Sequence, residues 1–436
     1  MVGKPESRRP ESTDQAFQQH LSHEQLTQDR DILRPLARQY AEIAHKDRNA
    51  DKRRLHRAVN DLQPVRPVVL IDELPWHEMN IDDMLTLACQ DPYLQSVEWQ
   101  LRTVIYRDRF MPADMIVPPY VSIAKVIHST GIGITVDEDT RVTDAANPII
   151  SHEYKDILRS DADLAQLQNP VITYDQVETL RRYQLVGDMI GDLVPVRITG
   201  IPHFSVTTWD DIARYRGVNQ LLMDLMDRPE FSHRVVRRLT DIYLSQLEQY
   251  ENLGLFDRDP RSLHCTPILT SQLPKPNVAE ETLKRQHIWG RGTAQIFASV
   301  SKAMHNEFDI EYMKETVGQC GLVYYGCCEP LDTKMDIVER IPNLRKVGVT
   351  PWADVNRATE AIQDRFVVSA KPNPAAVAVS CLDIDHLRKE IGEILDAVRR
   401  NNCSCDIVLK DISTCCRRPE NIFEWEQTVM EMVAEF

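Results

Sequence analysis

The sharpest cluster of reactive side chains is Tyr324-Tyr-Gly-Cys-Cys-Glu-Pro330, two adjacent thiols and a carboxylate directly behind an apolar run. Thiolates are soft ligands that suit zinc. Adjacent side chains on an extended segment point apart, so one thiol of the pair is expected to reach a given metal. The competing explanation is that Cys327 and Cys328 are small buried residues, as free cysteines often are. His264-Cys265 offers an imidazole and a third thiol, with packing again the alternative. Asp72-Glu-Leu-Pro-Trp-His77 supplies carboxylates and an imidazole for proton transfer. An arginine inside the fold could instead pair with Asp72 or Glu73. Lys371 and Lys410 suit either an anionic group or those same carboxylates.

Something must bring these scattered residues together. Pro67-Val-Val-Leu-Ile71 is a short continuous apolar run, the pattern of a parallel strand buried on both faces. Further strands are expected at Met115–Val117, Val194–Ile198, Ser262–Cys265, Leu322–Tyr325, Leu344–Val349, Phe366–Ser369 and Asp406–Leu409. A small hairpin is expected over Ile134–Thr143, turning at Asp137–Asp139. Helical spacing marks 233–253, with Gly254 as its stop, and about 385–400. Alternating strands and amphipathic helices imply a parallel sheet, and about eight such units predict a (β/α)8 barrel of the α/β class. No glycine-rich phosphate loop follows the first strand, which weighs against a nucleotide-binding fold. Residues 1–30 are expected to be a disordered or loosely docked tail, 31–63 a helical extension and 64–436 the barrel.

In a barrel, functional residues sit where strands run out into the following loops. That rule nominates Asp72, Glu73, His77, Lys371 and Asp411 for catalysis. It nominates Trp76, Tyr120, His203, Trp352, Asn373 and Lys410 for substrate contacts. Cys403 and Cys405 precede the last strand and belong to the opposite face; Cys415 and Cys416 follow it and could reach the mouth.

The bulk numbers narrow the setting. The chain has 436 residues, 42% of them hydrophobic, enough for a sizeable core. A net charge of −15 repels nucleic-acid phosphates and anionic lipid, so neither is expected as a partner. The polar first thirty residues show no apolar signal core, and no run approaches a spanning helix. Ten cysteines spread over so long a chain then read as reduced thiols or metal ligands in the cytoplasm.

The order of motifs resembles the uroporphyrinogen decarboxylase superfamily. The resemblance rests on Asp211-Ile-Ala-Arg-Tyr-Arg-Gly217, on Leu222-Met-Asp-Leu-Met-Asp-Arg-Pro-Glu-Phe231 and on Phe297-Ala-Ser-Val-Ser-Lys-Ala-Met-His-Asn-Glu-Phe308. It covers about residues 64–436. The family's His-x-Cys-Gly reads here Tyr325-Gly-Cys-Cys328, and its Gly-Asn-x-x-Pro turn is loosely matched by Lys371-Pro-Asn-Pro374. The decarboxylase signature Arg-Gln-Ala-Gly-Arg is absent, which argues against porphyrin decarboxylation. The methyltransferase branch implies a zinc site at Cys327, with Tyr325 in place of the histidine, and a third ligand from Asp411 to Cys415. Glu329 or His264 could fill the gap. The resemblance thus implies a methyltransferase or demethylase with zinc, acting on a small molecule and served by a corrinoid methyl-carrier protein. The alternatives are a metal-independent decarboxylase or lyase on a small acid, and a non-catalytic barrel serving as a binding subunit. Neither substrate nor oligomeric state follows from the sequence.

Overall fold

The computed structural model describes residues 22–436 except 143, 145, 146, 148 and 276. Its centre is a seven-stranded parallel sheet of β1 (Val68–Ile71), β2 (His203–Val206), β3 (Trp289–Gly292), β4 (Leu322–Tyr325), β5 (Leu344–Val349), β6 (Val367–Ala370) and β7 (Cys405–Leu409). The spatial order is β1-β7-β6-β5-β4-β3-β2, so β1 and β2 form the two edges. Each crossover returns through helical structure. The clearest is helix Ile384–Arg400, whose Leu387, Ile391, Ile394, Leu395 and Val398 are buried. Asp383 caps its start by accepting from the His386 amide. Helix Glu420–Ala434 follows β7 and packs Trp425 and Val429 into the same core as Val69 and Ile71 of β1.

The side of the sheet away from these helices is polar. Lys346 of β5 and Asp406 of β7 are both fully buried and 2.7 Å apart. Ser369 of β6 donates to Asp406 at 2.5 Å. A tight antiparallel hairpin, Ser262–Leu263 with Thr266–Pro267, enters this interior. Lys346 donates to the Pro267 carbonyl at 2.6 Å, and Lys371 donates to the Cys265 carbonyl at 2.5 Å. At the far end Asn60 donates to Leu269 O at 2.8 Å. Two lysines thus neutralise backbone carbonyls that no sheet partner takes up.

Several expectations need correction. Ser262–Cys265 is not a sheet strand but part of that interior hairpin. Met115–Val117 is irregular, because Pro118 and Pro119 bring no N–H to a ladder; the strand there is Val121–Ala124, paired with Val196–Thr199 outside the main sheet. The hairpin does not turn at Asp137–Asp139: Glu138–Arg141 pairs with Ser151–Tyr154. Helix His23–Ala44 begins inside the expected tail. Its buried Asp29 accepts from the Gln90 and Asp91 amides, and Tyr40 and Leu33 pack with Leu94, Leu101 and Ile190. Residues 1–21 of that tail lie outside the described residues. A second helix, Arg48–Asn60, leads into β1.

Candidate active site at the strand mouths

Gly326 ends β4 at φ 108°, where a side chain would strain the backbone and a Cβ would meet Leu331 Cδ1 at 2.9 Å. The turn breaks the strand's alternation. Tyr325 stays on the helix side, where its hydroxyl donates to Asp309 at 2.6 Å and lies 2.7 Å from His305 Nε2. Cys327 meets the mouth groups of the other strands. Tyr325 is therefore not a mouth residue standing in for a histidine.

Cys327 Sγ lies 3.4 Å from Lys410 Nζ and 3.8 Å from Cys328 Sγ. The Cys328 thiol donates to it and outweighs burial; His264, Lys410 and Arg291 add to the effect, so Cys327 is held well below the usual thiol range. Cys328, having the thiolate beside it and being desolvated, is pushed up. The pair thus carries one negative charge, on Cys327. Burial works against the Lys410 charge, yet Cys327 and Asp411 keep it protonated. Lys410 also reaches Asp411 Oδ2 at 2.5 Å.

The loop after β1 closes the site. Glu73 Oε2 accepts from the Asp411 amide at 3.2 Å, and Glu73 Oε1 stands 3.7 Å from His264 Nδ1. The tip of the interior hairpin, with Cys265 at φ 57°, brings its thiol to the same place. The donor atoms of Glu73, His264 and Cys265 lie within 4.8 Å of one another, and this is the set that could share a cation among the described residues. Burial, with Glu73 nearby, pushes the Cys265 thiol up. A bound divalent ion would reverse that shift by taking the thiolate.

The other nominated residues separate into groups. Glu329 is fully buried and locked by Thr293, the Ala294 amide and the Cys327 amide, so it shapes the Cys327 turn. Cys415 belongs to a knot around Glu78, which accepts from the Cys415 and Arg417 amides. His77 lies beside Glu78, its Nε2 buried without a hydrogen-bond partner among the described residues. Lys371 is committed to Cys265 O and Ser369 Oγ. Asp72 accepts from the Glu73 amide, and Trp76 packs edge-on against Trp99. Tyr120 is bound up with Asp259 and Arg197. Asn373 caps the short helix Pro374–Val377, and Trp352 is 62% exposed. His203 follows the strand Val196–Thr199, as expected, and itself opens β2. Burial pushes it down to about 3, so it is neutral.

Two residues of this face escaped sequence reasoning. Arg291 of β3 is buried, and among the described residues no hydrogen bond reaches its Nε. Asp210, after β2, accepts from Gln295 through Oδ2 at 2.9 Å while its buried Oδ1 has no partner among the described residues. Burial, with Glu329 and Cys327 nearby, pushes its carboxyl up to about 8. The Trp-Gly-Arg-Gly sequence of β3 gave no strand signal that would have found Arg291. No helix of the described residues is long and apolar enough to cross a membrane. Neither a protein-family model nor a curated protein matches the chain.

Proposed function

We propose that the chain is a methyltransferase or demethylase of the uroporphyrinogen decarboxylase superfamily, with a zinc ion held by Glu73, His264 and Cys265 beside the Cys327 side chain. The observation that carries this reading is the convergence of one oxygen, one nitrogen and one sulfur donor within 4.8 Å at the strand mouths. Three such protein ligands with a fourth position left open are the donor set of catalytic zinc. Bound there, zinc would hold an acceptor thiol as its thiolate, the form that attacks a methyl carbon. Lys410 balances the negative charge of Cys327, and Asp411 fixes Lys410.

A closed (β/α)8 barrel is the architecture we infer for this site. Backbone bonding beyond the two sheet edges supports it: the Asp114 amide donates to Val69 O of β1 at 3.0 Å, and Ile201, just before β2, bridges Phe256. Ten cysteines without a disulfide support a reducing, cytoplasmic setting.

The test is methyl transfer from methylcobalamin, standing in for a corrinoid carrier, to a small thiol. The carbon–sulfur bond forms as the carbon–cobalt bond breaks, and the bonding electron pair stays on cobalt. Zinc-loaded protein is expected to accelerate this, and Cys265→Ser is expected to abolish the acceleration. Equal activity in chelator-stripped protein overturns the reading. A metal-independent lyase on a small acid is favoured by one specific observation: the Lys410 ammonium lies 3.4 Å from the Cys327 sulfur, a cation beside a nucleophile. Carbon dioxide release without a methyl acceptor would select it.

A further inference from the structure

Arg291 stands out among the buried cations of the interior. Lys346 is paired with Asp406, Lys371 with Ser369 and a carbonyl, and Lys410 with Asp411. Arg291 is 7% exposed, its Nε has no hydrogen-bond partner and no ion pair engages it among the described residues. A buried guanidinium without a partner is costly, and proteins keep such groups where a ligand supplies the missing acceptors. Its neighbours share the condition. His203 Nδ1 and Asp210 Oδ1 are also buried without partners among the described residues. The three side chains come from β2, from the first turn of the helix that follows it (Thr208–Arg216), and from β3, whose Trp289 pairs in register with His203.

We propose that Arg291, flanked by His203 and Asp210, is a subsite for the carboxylate group of a small organic acid. Planar guanidinium and planar carboxylate match through two parallel hydrogen bonds. The chemistry of the flanks selects a monoanion. His203 is neutral, and Asp210 holds its proton at neutral pH, so it offers an O–H rather than a repelling charge. One positive charge without a hydrogen-bonded counter-ion suits a carboxylate better than a doubly charged phosphate. The proposal deepens the enzymatic reading of the mouth and rests on it: the acid bound at Arg291 would lie near Cys327, whose charge acts on Arg291.

The experiment is thermal unfolding of the full chain with acetate, benzoate or lactate, against sodium chloride, acetamide and inorganic phosphate at equal ionic strength. At least one carboxylate is expected to raise the midpoint by roughly 2 °C or more. Acetamide and phosphate are expected to do less. In Arg291→Met the carboxylate response disappears, while the ligand-free variant melts close to the parent, because no protein hydrogen bond among the described residues is lost. The proposal is overturned if no carboxylate shifts the parent, if phosphate shifts it more, or if Arg291→Met keeps the response. It is equally overturned if Arg291→Met is strongly destabilised, since Arg291 would then be a structural residue. Cys265→Ser separates the two readings. It removes metal-dependent methyl transfer but leaves the carboxylate response, so either can fail without the other.

Discussion

Lys346 and Asp406 face each other at 2.7 Å with neither side chain exposed to solvent, on adjacent-but-one strands of the sheet. Ser369 and Thr266 add hydroxyls to the same carboxylate, so the ion pair also holds the interior hairpin. Burial lowers the Lys346 ammonium, and Asp406 opposes that shift. Breaking one partner strands the other in a dry interior. Asp406→Ala is expected to cost about 3–5 kcal/mol. The double variant Lys346→Met with Asp406→Leu is expected to recover a large part of that loss. Urea unfolding of the two variants checks this; equal destabilisation would show that the pair's charge is not what matters.

Glu78 gives a pH signature. Its side chain is 10% exposed. Burial works to raise its carboxyl, but the Arg417 amide, the Thr414 hydroxyl and the Cys415 amide outweigh it and hold the group at about 2 instead of 4.5. The folded value lies below the unfolded one. Its stabilisation is therefore complete above about pH 4.5 and is lost as pH falls toward 2. Glu78→Gln is expected to lower stability by roughly 1–3 kcal/mol at neutral pH, with the gap to the parent closing in acid. Thermal or urea unfolding across that range reads it out. A gap that does not change with pH contradicts the assignment.

Lys410 beside Cys327 makes a spectroscopic prediction. With the ammonium 3.4 Å from the sulfur, Lys410→Met removes a neighbouring positive charge and raises the thiol toward its ordinary range. Ultraviolet thiolate absorbance of chelator-treated protein, taken as the difference from Cys327→Ser, follows that midpoint. An unmoved midpoint would show that Cys328, His264 and Arg291 keep the sulfur ionised without Lys410.

Part of this arrangement is written plainly in the sequence. β1, β4 and β6 are mostly apolar runs, β5 and β7 end in apolar residues after charged ones, and the hydrophobic effect makes such segments conspicuous. Their loops delivered Glu73, Cys327, Lys410 and Asp411 to one place. β2 and β3 were hidden, since His203-Phe-Ser-Val206 interleaves polar residues with core ones and Trp289-Gly-Arg-Gly292 is half glycine, its glycines packed against the helices. Arg291 and Asp210 were missed for the same reason. His264 and Cys265 were nominated as a strand end and reached the mouth by another route, on a hairpin held by Lys346 and Lys371. Interactions between a lysine and a distant carbonyl leave no local pattern to read. Glu329 and Cys415 looked like ligands by position, yet their hydrogen bonds tie them to neighbouring backbone and side chains.

The most direct test of the account is cobalt(II) titration of the chelator-stripped full chain. The cluster of Glu73, His264 and Cys265 predicts about one tightly bound ion per chain with thiolate-to-metal charge-transfer absorption. That absorption is expected to vanish in Cys265→Ser and to persist in Cys415→Ser. A parent protein that shows no such band, or a Cys265→Ser variant that keeps it, would contradict the metal centre.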